Sequence, residues 1–358
     1  MDIILDNVIF SLQKSGGISV VWSELLNGLL TQSEFKIYFI EYKGVNKNIF
    51  RKKTHIDKHS ITTKLNSLLF ITRYLNPTIN HDEIFIFHSS YYRICRNKKA
   101  INITTVHDFT YEYFSKGIKR IIHRYQKRKA IKHSDYIICI SENTKKDLLH
   151  FYPFVDENKI RVIYNGVSND YHQINSSNHQ LCFKPYTYAL FIGSRAKYKN
   201  FNLAVESISK STLNLLIIGN ELSMQEIEYL ETMIPNRYKC IGYVSNDILN
   251  TYYNFSHCLL YLSSYEGFGI PILEAQRAGC PVIAYNSSSI PEVIGDTPLL
   301  INNLNTTSVL NCIKILQNPI QRNMIVQKGL KNANRFSWEK MRMEVIKLYK
   351  EIHKESTI

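Results

Sequence analysis

The run YLSSYEGFGIPILEAQRAGCPVIAY, from Tyr261 to Tyr285, carries the signals of a strand, a loop, a helix and a second strand in succession. An apolar run ends at Leu262, a loop with two glycines follows, and Pro271 suits the first turn of a helix. The apolar residues 281–285 then predict another strand. Because a strand, a crossover helix and a second strand in this order are typical of a parallel sheet, the segment predicts an α/β fold.

The same alternation extends from this segment to both ends of the chain. In the first half we expect strands near residues 2–10, 36–42, 84–88, 101–107, 135–140 and 160–164, and helices that include 18–30 and 118–132. In the second half we expect strands near residues 188–193, 213–219, 238–242, 257–262, 281–285 and 298–301, and a final helix over 338–352. The pattern predicts two doubly wound, Rossmann-like domains.

The length of 358 residues also favours two domains, because single hydrophobic cores stop growing at about 250–300 residues. The polar, turn-rich run NGVSNDYHQINSSNHQ, from Asn165 to Gln180, is the expected linker. We therefore expect an N-terminal domain over 1–170, a C-terminal domain over 181–336 and a separate last helix over 337–358. Doubly wound domains bind ligands at the carboxyl ends of their strands, which predicts an interdomain cleft.

The composition is that of a globular protein with a basic surface. Apolar residues make up 44% and charged residues 21% of the chain, and the formal net charge is +14. No apolar run reaches the ~18 residues of a membrane-spanning helix, and the run MDIILDNVIF lacks the basic start of a signal peptide. The seven cysteines are scattered and none has C-x-x-C spacing, which is typical of free thiols. We expect a cytoplasmic protein that attracts anions.

Two carboxylates in the opening segment are candidates for a binding site. Seven residues separate Glu266, in the loop, from Glu274, which we expect within the first helical turn. Gly267 and Gly269 let backbone N–H groups at the helix N-terminus approach phosphate or hydroxyl oxygens. A carboxylate can accept hydrogen bonds from the vicinal hydroxyls of a sugar or ribose. The alternative is that Glu274 only complements the helix dipole and Glu266 is solvated.

Other predicted strand ends also carry residues suited to anions or sugars. Arg195 and Lys199 share the loop after the strand at 188–193, where two cations can neutralise a diphosphate, although such a pair can also be merely solvated. Gly17 lies in a glycine pair after the first strand, where the backbone can approach an anion. His107 ends the strand at 101–107, and His88 is a lesser candidate of the same kind; a lone histidine is more often structural.

The segment around Glu266 resembles the Glu-x7-Glu signature of retaining glycosyltransferases of family 4, which have the GT-B fold. The match includes the G-F-G-x-P-x-x-E core and the following A-x-x-x-G-x-P-V-I-A run. The resemblance implies that Glu266 is associated with the transferred sugar and Glu274 with the nucleotide ribose. It also implies that main-chain groups at Phe268, Gly269 and Ile270 meet the sugar and the diphosphate, and that the last helix crosses back to the first domain.

The resemblance extends over most of the chain. It implies that Arg195 and Lys199 bind the donor diphosphate, that the loop with Gly17 borders the donor phosphates, and that His107 approaches the donor sugar. Smaller matches are ISENTKKDL, VIYNGV, LLIIG and IGYVS, of which the last borders the nucleobase in the family. The nucleotide-binding candidates from these matches are Gly219, Tyr243 and Val244. Residues 44–80 match little and give no expectation.

The function expected from this resemblance is retaining transfer of a hexose, with mannose favoured, from a GDP- or UDP-linked donor to a glycan or lipid-diphosphate-linked acceptor in bacterial surface polysaccharide assembly. We find no Asp-x-Asp motif and no His/Cys cluster with metal-ligand spacing, so we expect no metal and no cofactor. One alternative is a sugar-nucleotide epimerase or hydrolase of the same fold. A basic nucleic-acid-binding protein is a weaker alternative, because no recognition module is present. No G-x-G-x-x-G follows the first strand, which disfavours a dinucleotide oxidoreductase.

The stretch from Lys116 to His133 is strongly basic and contains no acidic residue. The apolar residues Ile118, Ile121, Ile122, Tyr125 and Ile131 fall largely at helical spacing, so we expect one face to pack and the other to stay charged. The charged face either is merely solvated or holds the protein peripherally at an anionic membrane surface, on the inner face of the plasma membrane.

Overall fold

The computed structural model describes residues 1–64, 72–176 and 180–356. The chain divides into two compact units, Met1–Gly166 with Trp338–Ile358, and Val167–Ser337. The last helix thus belongs to the unit that begins the chain. Parts of the expected linker at 165–180 and of the expected last segment at 337–358 lie outside the described residues. Among the described helices, none combines the length and the hydropathy that crossing a membrane requires.

Strands and helices alternate along the described chain. The strands are β1 (Asp2–Asp6), β2 (Lys36–Tyr42), β3 (Ile61–Lys64), β4 (Phe85–Ser89), β5 (Ala100–Val106), β6 (Tyr136–Cys139), β7 (Ile160–Val162), β8 (Tyr188–Ile192), β9 (Asn214–Ile218), β10 (Tyr238–Ile241), β11 (Cys258–Tyr261), β12 (Val282–Tyr285) and β13 (Leu300–Ile301). The α-helices are α1 (Val8–Leu12), α2 (Gly17–Leu29), α3 (Ile49–Lys53), α4 (Thr110–Phe114), α5 (Gly117–Lys132), α6 (Glu142–Phe151), α7 (Phe201–Ser209), α8 (Met224–Met233), α9 (Asn246–Asn254), α10 (Ile270–Arg277), α11 (Ile290–Ile294), α12 (Thr306–Ile315), α13 (Pro319–Ala333) and α14 (Trp338–Glu355).

In the first unit, the described strands form one parallel sheet in the order β3-β2-β1-β4-β5-β6-β7. Phe85 and Phe87 of β4 are fully buried at the centre of this sheet. The expected strand at 36–42 is confirmed. The expected strand at 2–10 is wrong beyond Asp6, because Val8, Ile9 and Phe10 are buried in the short helix α1 instead.

Helix α14 packs against α2 within the first unit. The buried residues Trp22, Leu25, Leu26 and Leu29 of α2 follow the i, i+3, i+4, i+7 spacing of an amphipathic helix. Arg342 of α14 pairs with Glu24 of α2 at 2.7 Å. Gly28 lacks a side chain where one would collide with Arg342, since an added Cβ would lie 2.6 Å from the Arg342 Cδ.

The expected orientation of α5 is wrong. Ile118, Ile121, Ile122 and Tyr125 were expected to pack, yet each is exposed, and of that apolar set only Ile131 is buried. The face turned inward instead carries His123, Gln126, Lys127, Ala130 and Ile131. Partners on other elements make this face the buried one. Lys127 Nζ donates to Glu112 Oε2 and to the Asp108 carbonyl, both at 2.8 Å, and Gln126 donates to the Arg73 carbonyl.

In the second unit, the described strands form a parallel sheet in the order β10-β9-β8-β11-β12-β13. Leu215 and Ile217 of β9, Leu260 of β11 and Ile283 of β12 belong to one buried core under the helices. The expected strand at 298–301 is shorter than predicted, because only Leu300 and Ile301 pair with β12. Both sheets are parallel and covered by helices, so the predicted α/β class of two Rossmann-like domains is confirmed.

The described beginning of the expected linker packs onto helix α9 of the second unit. The backbone N–H of His172 donates to Asn250 Oδ1 at 3.0 Å, and that of Ile174 donates to Asn254 Oδ1 at 2.8 Å. Asn254 in turn donates from Nδ2 to the His172 carbonyl. The segment is irregular, as expected from its composition, but these hydrogen bonds make it part of the second unit through residue 174.

Candidate functional site

The loops after β8 and β11 are joined at the carboxyl edge of the second sheet. Asn200, in the left-handed conformation with φ of 53°, donates from Nδ2 to the Leu262 carbonyl at 2.7 Å and to Ser264 Oγ at 2.9 Å. The Ser264 backbone N–H donates to the Tyr198 carbonyl at 2.7 Å. These bonds fix the Lys199 loop against the Glu266 loop.

Lys199 and Glu266 form an ion pair across the joined loops. Lys199 Nζ donates to Glu266 Oε1 at 3.0 Å, and the two side chains are only 16% and 15% exposed. The loop after β12 holds the backbone of Glu266 by hydrogen bonds. The Glu266 backbone N–H donates to Ser288 Oγ at 2.8 Å, and Ser289 Oγ donates to the carbonyls of Glu266 and Phe268, both at 2.9 Å. The carboxylate therefore stands on a fixed backbone beside a cation.

Helix α10 begins directly after this loop, at Ile270. Gly269 precedes it with φ of 111°, a left-handed conformation that favours glycine. A Cβ there would lie 3.1 Å from Ile272 Cδ1, so space as well as backbone conformation disfavours a side chain. Pro271 occupies the first turn, as expected. Pro271 has no N–H, and the Ile272 N–H donates to the Gly269 carbonyl at 3.0 Å, so it is the N–H of Ile270 in this turn that suits an anion.

Glu274 lies in the second turn of α10 rather than in the first as expected, because the helix begins at Ile270. Tyr253 donates its hydroxyl proton to Glu274 Oε2 at 3.0 Å, and Tyr171 also hydrogen-bonds this carboxyl. Burial raises the pKa of Glu274 to about 7, although the two tyrosines oppose the rise by stabilising the charged form. Near neutral pH this carboxyl thus exists in both protonation states.

Arg195 is held by helix α8 rather than by the Lys199 loop. Its Nε donates to Glu226 Oε1 at 2.5 Å, and its terminal nitrogens donate to the carbonyls of Asn220 at 3.0 Å and Glu221 at 2.6 Å. Hydrogen bonding to Arg195 lowers the pKa of Glu226 to about 2. Arg195 and Lys199 therefore each have a protein carboxylate as a partner, and these carboxylates come from different elements.

The other nucleotide-binding candidates also follow strands of the second sheet. Gly219 follows β9, and a Cβ at this position would lie 2.6 Å from the Gly193 carbonyl oxygen, so the ends of β8 and β9 approach closely only because it is glycine. Tyr243 and Val244 follow β10, and the Tyr243 side chain is exposed. The backbone N–H of Gly219 donates to the Ile241 carbonyl at 3.1 Å, which sets β9 and β10 side by side at this edge.

In the first unit, His107 and His88 line one pocket together with Trp22. Burial lowers the pKa of His107 to about 4 and that of His88 to about 3, so both imidazoles are neutral at pH 7. His88 Nδ1 lies 2.6 Å from the Tyr349 hydroxyl and Nε2 lies 2.9 Å from Thr105 Oγ1. Its burial and these two partners favour a structural role for His88 over the sugar contact considered from sequence.

Gly17 is exposed at the first position of α2, with no atom within 4 Å of where a Cβ would stand. Its backbone is open to a ligand.

Lys127 of α5 holds the chain next to His107, because Lys127 Nζ donates to the carbonyl of Asp108, the residue after His107, at 2.8 Å. The pKa of the buried Lys127 is lowered by desolvation, and the neighbouring Glu112 opposes that change.

Sequence reasoning missed the residues that hold the candidates in place: Asn200, Glu226, Ser288, Ser289 and Lys127. The run Ser287–Ser289 and the spacing Ser223-x-x-Glu226, which forms a capping box on α8, were visible signals. No signal marked Lys127, whose carboxylate partner lies on another helix. Among the described residues, no group of three His, Cys, Asp or Glu side chains is arranged to hold a metal ion.

Known proteins share both the fold and the sequence pattern. The crystal structure of Anabaena HepE in complex with UDP and glucose aligns with TM-score 0.72 over 98% of this chain and 100% of that chain, at 13% identity. Sucrose-phosphate synthase from Thermosynechococcus elongatus aligns with TM-score 0.77 over 99% and 100%, at 16% identity. Two parallel-sheet α/β units with these structural neighbours define the fold as GT-B.

Residues 15–171 match the family model described as Glycosyltransferase Family 4, and residues 174–332 match the model described as Glycosyl transferases group 1. The O-antigen chain mannosyltransferase B of Escherichia coli is 26% identical over 291 residues, which cover 74% of each chain. The chain belongs to glycosyltransferase family 4 and is an enzyme. An uncharacterized 41.2 kDa protein in the cps region of Klebsiella pneumoniae is 29% identical over 309 residues, covering 80% of this chain and 83% of that protein.

Proposed function

We propose that this enzyme transfers a hexose, with mannose favoured, from a GDP- or UDP-linked donor to a glycan or lipid-linked glycan acceptor in bacterial surface polysaccharide synthesis. The likeness to an O-antigen chain mannosyltransferase and to a protein of a cps region supports this sugar and this pathway class. The match to glycosyltransferase models favours transfer over the epimerase and hydrolase alternatives. The free cysteines, most of them buried, support a reducing, cytoplasmic compartment.

The observation that carries this proposal is the Lys199–Glu266 ion pair at the joined strand ends, directly before the N-terminus of α10. A cation beside the N-terminus of a helix suits the diphosphate that leaves during transfer. The adjacent Glu266 carboxylate then lies where the transferred sugar would be bound. Lys199, Arg195 and the helix N-terminus at Gly269 and Ile270 supply the positive charge, so the proposed mechanism is metal-independent.

The remaining candidates take complementary roles in this proposal. Glu274 accepts hydrogen bonds from the ribose hydroxyls, and the backbone at Gly219 borders the base together with the exposed Tyr243 and the partly buried Val244. In the first unit, the neutral imidazole of His107 contacts a sugar hydroxyl. The open backbone at Gly17 approaches a donor phosphate. We propose that transfer retains the anomeric configuration, with Glu266 and its backbone nearest the reacting carbon.

A nucleotide screen followed by a turnover assay tests the proposal. Thermal shift against GDP, UDP, ADP and dTDP identifies the base, because a ligand at ~100 times its dissociation constant stabilises the folded state by ~2.7 kcal/mol. Nucleotide release from GDP-mannose and UDP-glucose, with product anomers assigned by NMR, then defines the sugar and the stereochemistry. We expect Glu266→Ala to bind free nucleotide like the wild type and to lower kcat about 100-fold or more.

A matched control variant, Glu292→Ala in the first turn of the neighbouring helix α11, should turn over at the wild-type rate. The proposal fails if none of the four nucleotides stabilises the protein, or if Glu266→Ala transfers sugar as fast as the wild type.

A further inference from the structure

Helix α5 turns an apolar stripe toward solvent. Ile118, Ile121, Ile122 and Tyr125 are 74%, 66%, 42% and 68% exposed. Their i, i+3, i+4, i+7 spacing places all four on one side of the helix, where a helix of a globular protein normally carries polar residues. Scattered exposed apolar residues need no explanation, but a continuous stripe of this kind marks an interaction surface.

The helix is fixed in this orientation by its opposite side. Lys127 and Glu112 are both completely buried and form an ion pair at 2.8 Å, while Ala130 and Ile131 are buried beside them. Rotating the helix to hide the stripe would expose Ala130 and Ile131 and break a buried ion pair, which is strongly destabilising. The apolar stripe is therefore a permanent feature of the surface.

Cations surround the stripe on the same helix. The stretch from Lys116 to His133 contains no acidic residue, and with Lys127 buried it keeps seven basic residues at the surface or partly exposed. They are Lys116, Lys119, Arg120, Arg124, Arg128, Lys129 and Lys132. The Arg128 guanidinium lies 5.1 Å from the ring centroid of Phe154, which is itself 45% exposed and extends the apolar surface beyond the helix.

We infer that α5 is an interfacial anchor that inserts Ile118, Ile121, Ile122 and Tyr125 into the surface of an anionic membrane while the surrounding cations contact its headgroups. An apolar face bordered by Lys and Arg is the arrangement by which helices lie in a membrane interface. A second copy of this chain fits the surface poorly, because its stripe would bring a second ring of cations against the first. Nucleic acid fits poorly as well, because three of the four residues of the stripe are isoleucines, which offer no flat ring on which bases stack.

Co-sedimentation with vesicles of phosphatidylcholine alone, or with about one third phosphatidylglycerol, tests this inference. We expect wild type to bind the anionic vesicles at low salt, to bind neutral vesicles weakly, and to lose part of its binding in high salt. Ile121→Ser with Ile122→Ser should weaken binding by about tenfold or more. Arg124→Glu with Lys132→Glu should weaken it by about 30-fold or more at low salt and by less at high salt.

Each double variant has a matched control elsewhere on the surface. Ile320 and Met324 of α13 are 74% and 58% exposed, so Ile320→Ser with Met324→Ser removes similar apolar surface and should bind like wild type. Lys314→Glu with Lys331→Glu changes two exposed cations by the same charge and should weaken binding only slightly. Circular dichroism melts check that all four variants fold.

Insertion has its own optical readout. The chain contains two tryptophans, Trp22 and Trp338, and both are buried, so the emission of a Tyr125→Trp variant is separable from theirs by difference. We expect that emission to shift to the blue on anionic vesicles and to be quenched by brominated lipid. None of these readouts needs a sugar donor, so they do not depend on the proposed transferase activity.

Several outcomes would overturn the inference. Wild type that ignores anionic vesicles at low salt excludes an anchor, even if it binds nucleic acid under the same conditions. A stripe variant that binds like wild type, or an α13 control that loses as much binding, excludes insertion at α5. A wild-type dimer that dissociates on Ile121→Ser with Ile122→Ser, measured without lipid, assigns the surface to a second copy instead.

Discussion

Nucleotide binding should expel a proton from Glu274. Burial raises the pKa of this carboxyl to about 7, although Tyr253 and Tyr171 donate hydrogen bonds to it. In the proposed complex the ribose hydroxyls also donate to Glu274, and hydrogen bonds of this kind stabilise the charged form. The pKa of Glu274 should therefore fall when nucleotide binds.

The size of the effect follows from the pKa. At pH 7 about half of the Glu274 carboxyls are protonated, so binding should release up to about half a proton per nucleotide. A fall of one to two pKa units in the complex would make binding about ten- to a hundredfold weaker well below the free pKa than well above it. Affinity should thus rise between about pH 5 and pH 8 and level off above that range.

Titration calorimetry in two buffers with different ionisation enthalpies counts the released protons directly. The phosphate of the nucleotide also titrates, near pH 6, so the value for Glu274 is the difference between wild type and Glu274→Gln. Glu292→Gln, a carboxylate at the start of the next helix, α11, is the matched control and should behave like wild type. Equal proton release by wild type and Glu274→Gln would refute the assignment of Glu274 to the ribose.

The same carboxyl should make the stability of the free enzyme depend on pH. Because the pKa of Glu274 is raised above its ordinary value of 4.5, its contribution to stability is full below pH 4.5 and is lost as the pH rises through about 7. The loss relative to Glu274→Gln is on the order of 3 kcal/mol at high pH. Urea unfolding of both proteins between pH 5 and pH 8.5 measures it, and parallel curves would contradict the raised pKa.

Three further variants probe the supports of the site. Arg195→Ala should weaken nucleoside diphosphate binding about ten- to a hundredfold by calorimetry; an equal loss in Glu226→Gln would mean that Arg195 acts by holding α8 and not by touching the diphosphate. Lys127→Met should destabilise the fold by about 3–5 kcal/mol in urea, because it leaves Glu112 buried and unpaired, and Lys127→Met with Glu112→Met should recover most of that loss. Gly269→Ala should lower the free energy of unfolding by about 1–3 kcal/mol and weaken nucleotide binding, since alanine is strained at this backbone conformation. An unchanged melting temperature and an unchanged nucleotide affinity would contradict this prediction.

The parallel sheets were predictable from sequence because buried strands have continuous apolar runs, which are hard to mistake when helices separate them. Strand β2 was predicted at its observed residues. The end of strand β1 was not, because apolar residues resume at Val8, Ile9 and Phe10 after Asp6 and Asn7, although the backbone there turns into a helix. Apolar residues indicate that a segment is buried, but here both the strand and the helix that follows it are buried, so hydrophobicity does not tell them apart.

Helix α5 shows where such prediction fails. Two stripes occur in its sequence, and the more hydrophobic one, with Ile118, Ile121 and Tyr125, was expected to pack. The structure buries the stripe with Gln126 and Lys127, because a carboxylate and carbonyl groups from other elements satisfy these polar groups. Spacing within one helix carries no information about such partners.

The positions of the candidate residues along the chain were predictable from the sequence, but their pairing in the folded protein was not. The motif located Glu266 and Glu274 on a loop and a helix, and the cations at a neighbouring strand end. The pairing of Lys199 with Glu266, and of Arg195 with Glu226, depends on how separate loops meet, which is set by tertiary contacts such as those of Asn200. Their roles in transfer stay predictions that the variants above test.

The placement of helix α14 reverses the order in which the two units can be completed during synthesis. Residues Val167–Ser337 contain the whole second unit, so this unit has its full sequence once residue 337 has left the ribosome. The first unit, begun far earlier, lacks until then the Tyr349 hydroxyl that lies against His88 and the Arg342 partner of Glu24. Helix α2 is therefore synthesised long before α14, the helix that packs on it. We expect its apolar side, with Trp22 and Leu25, to be exposed and to be a chaperone target for most of translation.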